Sequence, residues 1–395
     1  MRYGSVCSGM EAAHLAFSPL GWETAWVSEI EPSACALLTH RLPDVPNLGD
    51  MTMIPSRIRR GEVEAPAVLI GGTPCQSFSL AGKRESLDDA RGNLALTYCE
   101  VCDAIDDVRR SDGTGECIAI WENVPGVLST KDNAFGRFLS QLVGAGCELQ
   151  HSGARWADSG YVLGPKRAAA WRILDAQYFG LAQRRRRVFV VASARAGVDP
   201  AALLFEWESV RRDSPPSRET RKDVAPTISA RTSGGGGLGT DFDLDGGLIH
   251  FGDEVANLVA FSSKDYAADA SGISPTLRAM GHGASHANGG GQVAVAYGFQ
   301  NAQSGETGKG DAAPCVAVGM VVRRLTPREC DKLQGAMPDW TLVPNKHGKP
   351  MADGCRYRML GNSFAVPCIA WIGKKINAAA QGAPTARDQA PAGRS

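Results

Sequence analysis

Residues 67–79 read Ala67-Val68-Leu69-Ile70-Gly71-Gly72-Thr73-Pro74-Cys75-Gln76-Ser77-Phe78-Ser79. The apolar run predicts a buried strand, and the paired glycines predict a sharp turn directly after it. Pro74 fixes its own backbone and holds the preceding residue extended, so Cys75 is expected on a stiff loop. In an open α/β sheet, the loops that follow the strands collect ligands and chemistry. Cys75 is therefore a candidate nucleophile, although the residue type alone is also typical of a small buried side chain.

The composition indicates a globular protein without a membrane segment. Hydrophobic residues make up 43% of the 395 positions, and 42 Lys+Arg balance 42 Asp+Glu. Zero net charge does not exclude nucleic acid, because binding depends on where the basic residues cluster. No apolar run approaches the ~20 residues of a membrane helix. The 11 scattered cysteines indicate free thiols in a reducing cytoplasm, and we expect a cytoplasmic monomer.

Two early strands are each followed by polar residues that suit a nucleotide. Residues 5–13 predict a strand, a tight turn at Gly9 and the start of a helix. Residues 24–28 predict a second strand that ends at Glu29, where an acid usually holds a ribose diol. A solvated strand terminus would also explain Glu29. Farther on, Asp50 is placed to accept a hydrogen bond from an exocyclic amine.

Two later strands carry charged residues toward the same region. The strand at residues 117–121 runs into Glu122-Asn123-Val124-Pro125-Gly126, so Glu122 is expected to face Cys75 across the sheet edge, or else to cap a helix. Residues 183–187 read Gln183-Arg184-Arg185-Arg186-Arg187 and lead into an apolar strand. Alternation along that strand places Arg185 and Arg187 on one face and Arg184 and Arg186 on the other. Two of these arginines must then point inward.

The composition changes from residue 200 onward. Residues 225–320 are rich in glycine and contain two imperfect repeats of short strand, glycine loop and short strand, which favours a small β-rich insertion over a low-complexity linker. The glycine between His282 and His286 argues against a helical metal site, and we predict no metal. Helical signals return with Thr326 as N-cap and Pro327 at the first helical position.

Taken in order, these blocks resemble those of the bacterial and phage C5-cytosine DNA methyltransferases. GGTPCQSFS resembles the nucleophile loop of that family, ENVPG its acid segment and QRRRR its QxRxR strand. RRLTPRECDKLQG and RMLGNSFAVP resemble its last two blocks. The first block departs from the pattern, because Cys7 stands where the family usually has an aromatic residue. The resemblance implies an α/β fold: a mostly parallel, nucleotide-type (Rossmann-like) methyltransferase sheet with an inserted small β-rich domain.

Five parts of the chain follow from the resemblance and from the change in composition. We expect a catalytic S-adenosylmethionine-binding domain at residues 1–195 and a target-recognition insertion at residues 196–320. A connection at 321–355 leads to a C-terminal segment at 356–379 that returns to the catalytic domain. Residues 380–395 form a polar tail, which we expect to be disordered.

The activity that the resemblance implies is methyl transfer from S-adenosylmethionine to C5 of a flipped-out cytosine in double-stranded DNA. Cys75 would add to C6 of the base, and protonated Glu122 would donate to N3. Arg187 would stabilise O2, and Arg185 would lie near the thiolate. The implied cofactor contacts are Gly9, Glu29, Asp50 and Asn362. The implied DNA contacts are Gln76, Arg231, Arg278, His282 and Lys309.

Two other functions stay open from the sequence. One eukaryotic branch that resembles this family acts on tRNA, although the length of the insertion favours duplex DNA. A catalytically silent DNA-binding regulator is the second alternative, and the intact set of Cys75, Glu122 and Arg187 argues against it. A restriction endonuclease acting separately is a possible partner, as it is for the bacterial enzymes of the family.

Overall fold

The computed structural model describes residues 1–74, 94–205, 258–262, 293–298, 320–345 and 347–380 of the chain. Seven of the strands in these ranges form one sheet. They are β1 (Arg2–Val6), β2 (Glu23–Ser28), β3 (Val68–Gly71), β4 (Ile118–Asn123), β5 (Ser159–Leu163), β6 (Ala168–Asp175) and β7 (Arg186–Ser193). Their order across the sheet is β2-β1-β3-β4-β7-β6-β5.

Helices connect and cover these strands. They are α1 (Ala12–Phe17), α2 (Pro32–Arg41), α3 (Ile54–Arg59), α4 (Leu94–Ser111), α5 (Ala134–Val143), α6 (Pro200–Leu204), α7 (Pro327–Leu333), α8 (Asp353–Asn362) and α9 (Val366–Ala380). The predicted start of α7 is confirmed: Thr326 and Glu329 form a reciprocal capping box, and Pro327 occupies the first turn. Within the described ranges, the helices are too short or too polar to cross a membrane.

The sheet has a parallel half and an antiparallel half, and the predicted α/β class is confirmed. Strands β2, β1, β3 and β4 run parallel to one another. Strand β7 then pairs antiparallel with β4, and β6 and β5 continue antiparallel beyond it. Because β7 runs against β4, the beginning of β7 lies at the edge where β3 and β4 end.

Helices cover both faces of the sheet, and alternate residues of the central strands face opposite layers. Val68 and Ile70 of β3 pack in one apolar cluster, whereas Leu69 packs in the other. Helices α1, α6 and α9 lie on the first face, and α3, α4 and α5 lie on the second. The result is the three-layer arrangement expected for a sheet that is apolar on both sides.

Gly71 ends β3 at a place where only a glycine fits. A Cβ built at this position would lie 2.4 Å from the Val6 Cγ2 atom and 2.8 Å from the Val6 carbonyl oxygen. Such distances are far inside van der Waals contact, so the absence of a side chain allows β1 and β3 to pair closely. The glycine predicted from the sequence as a turn residue therefore also has a packing role.

Three further strands form a separate antiparallel sheet within the interval of changed composition. They are β8 (Leu258–Ser262), β9 (Val293–Gly298) and β10 (Met320–Arg324), in the order β10-β9-β8. Helix α6 precedes them and contacts β6, where the Arg172 guanidinium donates to the Leu204 carbonyl at 2.9 Å. The glycine repeats and residues 75–93 lie outside the described residues. The tail predicted from residue 380 onward does so from residue 381, because Ala380 is the last residue of α9.

Candidate active site

The candidate active site lies at the edge where β3 and β4 end and β7 begins. In the sheet register, Gly71 is the neighbour of Trp121, and Asn123 is the neighbour of Val188. Residues that are far apart in the sequence therefore meet at one edge of the sheet. In open α/β sheets, this is the edge at which ligands bind. Cys75 and Gln76, which follow β3 by a few residues, lie outside the described residues.

The segment that leads toward Cys75 is fixed to β4. Thr73 is buried, and its hydroxyl accepts a hydrogen bond from the Trp121 indole at 3.1 Å. The Asn123 amide donates to the Thr73 carbonyl at 3.0 Å. A Cβ on Gly72 would lie 3.2 Å from a Glu122 carboxylate oxygen, so the glycine permits close approach to the acid. The residue that precedes Pro74 is therefore anchored to β4 by two hydrogen bonds.

Glu122 is a buried carboxyl with an arginine beside it. It is 7% exposed, and the Arg187 Nε atom lies 3.1 Å from its Oε1 atom. The contact is an ion pair, and within the described residues Oε1 accepts no well-directed hydrogen bond. Burial raises the pKa of Glu122 above its ordinary value, and the charges of Arg187 and Arg185 oppose that rise. Desolvation outweighs the two arginines, which favours the protonated form that a general acid needs.

Arg185 is fully buried and connects β7 to the end of α8. Its guanidinium donates to the Gly361 carbonyl at 2.9 Å and to the Ser363 carbonyl at 2.6 Å. Burial, and then the neighbouring Arg187 charge, lower the pKa of Arg185 to about 9. These contacts make Arg185 a support for the turn that carries Asn362. Its predicted position near the Cys75 thiolate stays a prediction.

The predicted alternation of the arginines is confirmed. Arg185 is buried and the Arg187 side chain is 12% exposed, whereas Arg184 and Arg186 are exposed. Arg186 pairs instead with Asp158 at 3.1 Å. The preceding Gln183 is fully buried, and neither polar atom of its amide has a hydrogen-bond partner in the described part of the chain. The QxRxR resemblance includes Gln183, but only its burial in the structure shows that its amide is unpaired.

The loop between β1 and α1, residues 7–11, meets the end of β2 at Glu29. Three of its residues adopt left-handed backbone conformations, namely Cys7, Gly9 and Glu11. The Gly9 amide donates to Glu29 Oε2 at 2.8 Å, and Oε1 accepts from the amides of Ile30 and Glu31. Since a carboxylate has about four acceptor positions, Glu29 retains about one for an external donor.

The segments that carry Asp50 and Asn362 each contact residues at the end of β2. Asn47 binds the backbone of Glu29, which attaches the segment before Asp50 to the end of β2. Asp50 is exposed, and both hydrogen bonds that it accepts in the described residues use Oδ1. Asn362 is exposed at the last position of α8, and Arg358 of that helix lies 3.6 Å from Glu31.

Cys7 occupies the position where the resemblance places an aromatic residue. Its backbone is left-handed, and its Sγ atom lies 3.9 Å from the Met51 sulfur. A thiol in this place cannot stack on a base as a ring does. The predicted DNA contacts Arg231, Arg278, His282 and Lys309 lie outside the described residues. The part of the chain that is described contains no group of three metal-binding side chains.

Comparison with known proteins gives a match over nearly the whole chain. The C-5 cytosine-specific DNA methylase family matches residues 1–378. A protein of Escherichia phage P1, named DNA N-6-adenine-methyltransferase, is 40% identical over 95% of this chain, which spans 61% of that protein's length. The Type II methyltransferase M2.BsuMI of Bacillus subtilis is 25% identical over 95% of this chain and 75% of its own length.

A solved structure shows the same fold at low sequence identity. The Dnmt2 methyltransferase of S. pombe superposes with a TM-score of 0.52 and 15% identity, over 95% of this chain and 98% of that chain. At this identity the likeness concerns the fold alone. The family match rests on sequence instead, and it runs across the sheet, the interval that contains β8–β10, and the returning helices.

Proposed function

Because the chain belongs to the C-5 cytosine-specific DNA methylase family, we propose that it methylates C5 of a cytosine in duplex DNA, with S-adenosylmethionine as donor. The observation that carries this proposal is the buried pair of Glu122 and Arg187. The pair lies beside Gly72 and Thr73, the anchored residues that lead into the Cys75 loop. The cytosine must leave the double helix to reach that edge, since its C6 is inaccessible inside a duplex.

Cys75 is the proposed nucleophile. Glu122 and Arg187, at the same edge of the sheet, would stabilise the charge that its addition creates. Bond formation between its thiolate and C6 would place carbanion character at C5 and charge on N3 and O2 of the ring. Protonated Glu122 would donate to N3, and burial of this carboxyl supports that protonation state. Arg187 would stabilise O2 and hold Glu122 in place. After methyl transfer to C5, removal of the C5 proton and expulsion of Cys75 would complete the reaction.

The residues around the β1–α1 loop fit S-adenosylmethionine by their chemistry. The ribose hydroxyls and the adenine amine are donors, and Glu29 and Asp50 are acceptors that keep open positions. We propose that Glu29 binds one ribose hydroxyl rather than the expected two, because three backbone amides already occupy it. Gly9 and Asn362 complete the proposed contacts. When bound, the cofactor supplies an electrophilic methyl group.

Target recognition is assigned to the interval after α6. Pro200 and Leu204 of that helix are buried against the sheet, so we place the beginning of the recognition region after Phe205 rather than at residue 196. The core handles one base and one cofactor, so the flanking bases must be read elsewhere, through groove edges and backbone contacts. Arg231, Arg278, His282 and Lys309 are the proposed donors.

The name of the phage P1 relative raises a second candidate, methylation of adenine N6. An exocyclic amine attacks a methyl donor directly, so it needs neither a thiol that adds to a ring nor a buried acid beside an arginine. The matched region of this chain contains Cys75, Glu122 and Arg187, the set that cytosine C5 chemistry needs. The phage protein is longer, since this chain spans 61% of its length. Cytosine C5 is therefore the better supported target.

Expression in cells that lack DNA methylation would test the proposal. We expect 5-methylcytosine in one plasmid sequence context, and none when Cys75→Ser replaces the wild type. Duplex DNA with 5-fluorocytosine at the target should trap an adduct on Cys75, because the fluorine cannot leave as a proton does. The Cys75→Ser variant should still bind that DNA.

Four results would contradict the proposal in different ways. N6-methyladenine without 5-methylcytosine would support the second candidate, and methylated tRNA with unmodified plasmid would support an RNA substrate. Sequence-specific DNA binding without any methylation would indicate a silent regulator. Undiminished cytosine methylation by Cys75→Ser would overturn the covalent mechanism while leaving the target base unchanged.

A further inference from the structure

Trp340, from the segment that follows α7, binds the backbone of the β1–α1 loop. Its indole N–H donates to the Met10 carbonyl at 2.8 Å. Both residues are buried, with Trp340 5% exposed and Met10 fully enclosed. The two positions are 330 residues apart in the chain. A buried carbonyl that loses such a donor has no water to replace it.

Trp340 is itself held in place by α1 and α2. Arg41, the last residue of α2, donates to the Asp339 carbonyl at 2.7 Å and to the Trp340 carbonyl at 3.0 Å. The same guanidinium lies 4.9 Å from the centre of the Trp340 ring. On α1, the His14 ring lies nearly parallel to the indole, with 6.4 Å between the two ring centres. The indole therefore has a fixed position against α1, which follows the loop, and against the end of α2.

A buried polar network fixes the turn at residues 337–342 that presents Trp340. Thr341 donates to the fully buried Asp331 at 2.9 Å, and the Arg356 guanidinium contacts both of them. Asp339, directly before Trp340, has a left-handed backbone with φ of 62°. An isolated chain would not keep this conformation, so the network determines where the indole N–H points.

We propose that Trp340 is a positioning residue for the cofactor: through Met10 it holds the β1–α1 loop in its binding conformation. The loop has left-handed backbone at Cys7 and Glu11, two positions that are not glycine, and relaxation is expected once an anchor is lost. Relaxation would move the Gly9 amide, which is the loop's contact with Glu29. This inference rests on the proposed function, because it assigns the loop to S-adenosylmethionine.

The chain offers a matched pair of tryptophans for the test. Trp22 is 4% exposed, and its indole N–H donates to the Asn377 side chain at 2.7 Å, away from the loop. Trp340→Phe and Trp22→Phe each remove one indole hydrogen bond and keep an aromatic ring. Arg41→Gln is a second variant on the same anchor, and it leaves the buried indole intact.

Two measurements on the full chain separate anchoring from cofactor binding. Hydrogen–deuterium exchange without cofactor should show faster exchange at residues 7–14 in Trp340→Phe and Arg41→Gln, but not in Trp22→Phe. Calorimetry with S-adenosylmethionine should show affinity lowered about fivefold in the first two variants, the equivalent of one neutral hydrogen bond. The KM for the cofactor should rise while kcat stays close to that of the wild type.

The outcomes distinguish the inference from the function on which it rests. Loop exchange that is the same in Trp340→Phe and Trp22→Phe would overturn the anchor, whatever the cofactor. Faster exchange with unchanged cofactor affinity would overturn the positioning role. A wild type that binds no S-adenosylmethionine would overturn the proposed function, and the cofactor role of Trp340 with it, whereas the exchange result would still report on the anchor.

Discussion

Glu11, a single residue of the β1–α1 loop, illustrates how burial competes with hydrogen bonding. It is 1% exposed and accepts hydrogen bonds from the Tyr3 hydroxyl at 3.1 Å and the Ser5 hydroxyl at 2.8 Å. Burial raises its pKa from 4.5 to about 7, against the lowering effect of both hydroxyls. Loss of hydration therefore outweighs two hydrogen bonds at this site.

We expect Glu11→Gln to remove a pH dependence from the free energy of unfolding. A pKa above that of the unfolded chain means that the folded protein holds the proton more tightly, so stability falls as pH rises from 4.5 to about 7. Above that range the charged Glu11 should destabilise the wild type by about 3 kcal/mol relative to its protonated form. Urea unfolding between about pH 5 and about pH 8 measures the difference.

Glu100→Gln is the control for this prediction, since Glu100 is exposed on α4. Other buried carboxyls, including Glu122, titrate in both proteins and cancel when variant and wild type are compared. Stability curves of Glu11→Gln and wild type that run parallel across the pH range would contradict the account.

At the scale of elements, the junction of β3 and β4 determines how firmly the Cys75 loop is held. Thr73→Val keeps the shape of the side chain and removes the hydroxyl that accepts from Trp121. The buried indole N–H then lacks its partner, which should cost about 1–3 kcal/mol of stability. We expect adduct formation with 5-fluorocytosine DNA to slow at least about tenfold, because the loop loses its alignment.

Ser193→Ala supplies the matched control at the opposite end of the same sheet. The Ser193 hydroxyl donates to the Cys117 carbonyl and accepts from the Arg195 amide, both at 3.0 Å. Its loss should lower stability by a similar amount and leave adduct formation unchanged. Equal slowing in both variants would show that general destabilisation, rather than the position of the loop, explains the effect of Thr73→Val.

At the scale of the whole molecule, the recognition region should be transferable. We expect a chimaera that carries residues 206–324 of this chain, which keep β8, β9 and β10 together, on a related core to methylate the sequence that this chain recognises. Helix α6 is left with the recipient, because it packs against β6 and α9 of its own core. Sequencing of methylated plasmid DNA shows which sequence context carries 5-methylcytosine.

A second chimaera controls for the connecting segment. It carries only residues 325–345 of this chain, which pack against the core, and it should keep the recipient's target sequence. If the first chimaera is active but also keeps the recipient's sequence, recognition lies outside residues 206–324 and the assignment is wrong.

Short-range patterns in the sequence are sufficient to predict the local elements and the family. Strand β3, its glycine turn, the capping box of α7 and the alternation of Arg184 to Arg187 all follow from short-range backbone and side-chain preferences. The ordered blocks likewise predicted the family, which matches residues 1–378. Each of these features needs only neighbouring residues, so the printed sequence is sufficient to identify it.

Which distant residues meet is visible only in the folded chain. The antiparallel direction of β7 places Arg187 beside Glu122, and the same sheet edge joins Thr73 to Trp121. The bond from the Gly9 amide to Glu29 and the bond from Trp340 to Met10 left no local trace in the sequence. Strand direction and side-chain pairing over such separations depend on how the layers pack, and packing is a property of the assembled chain.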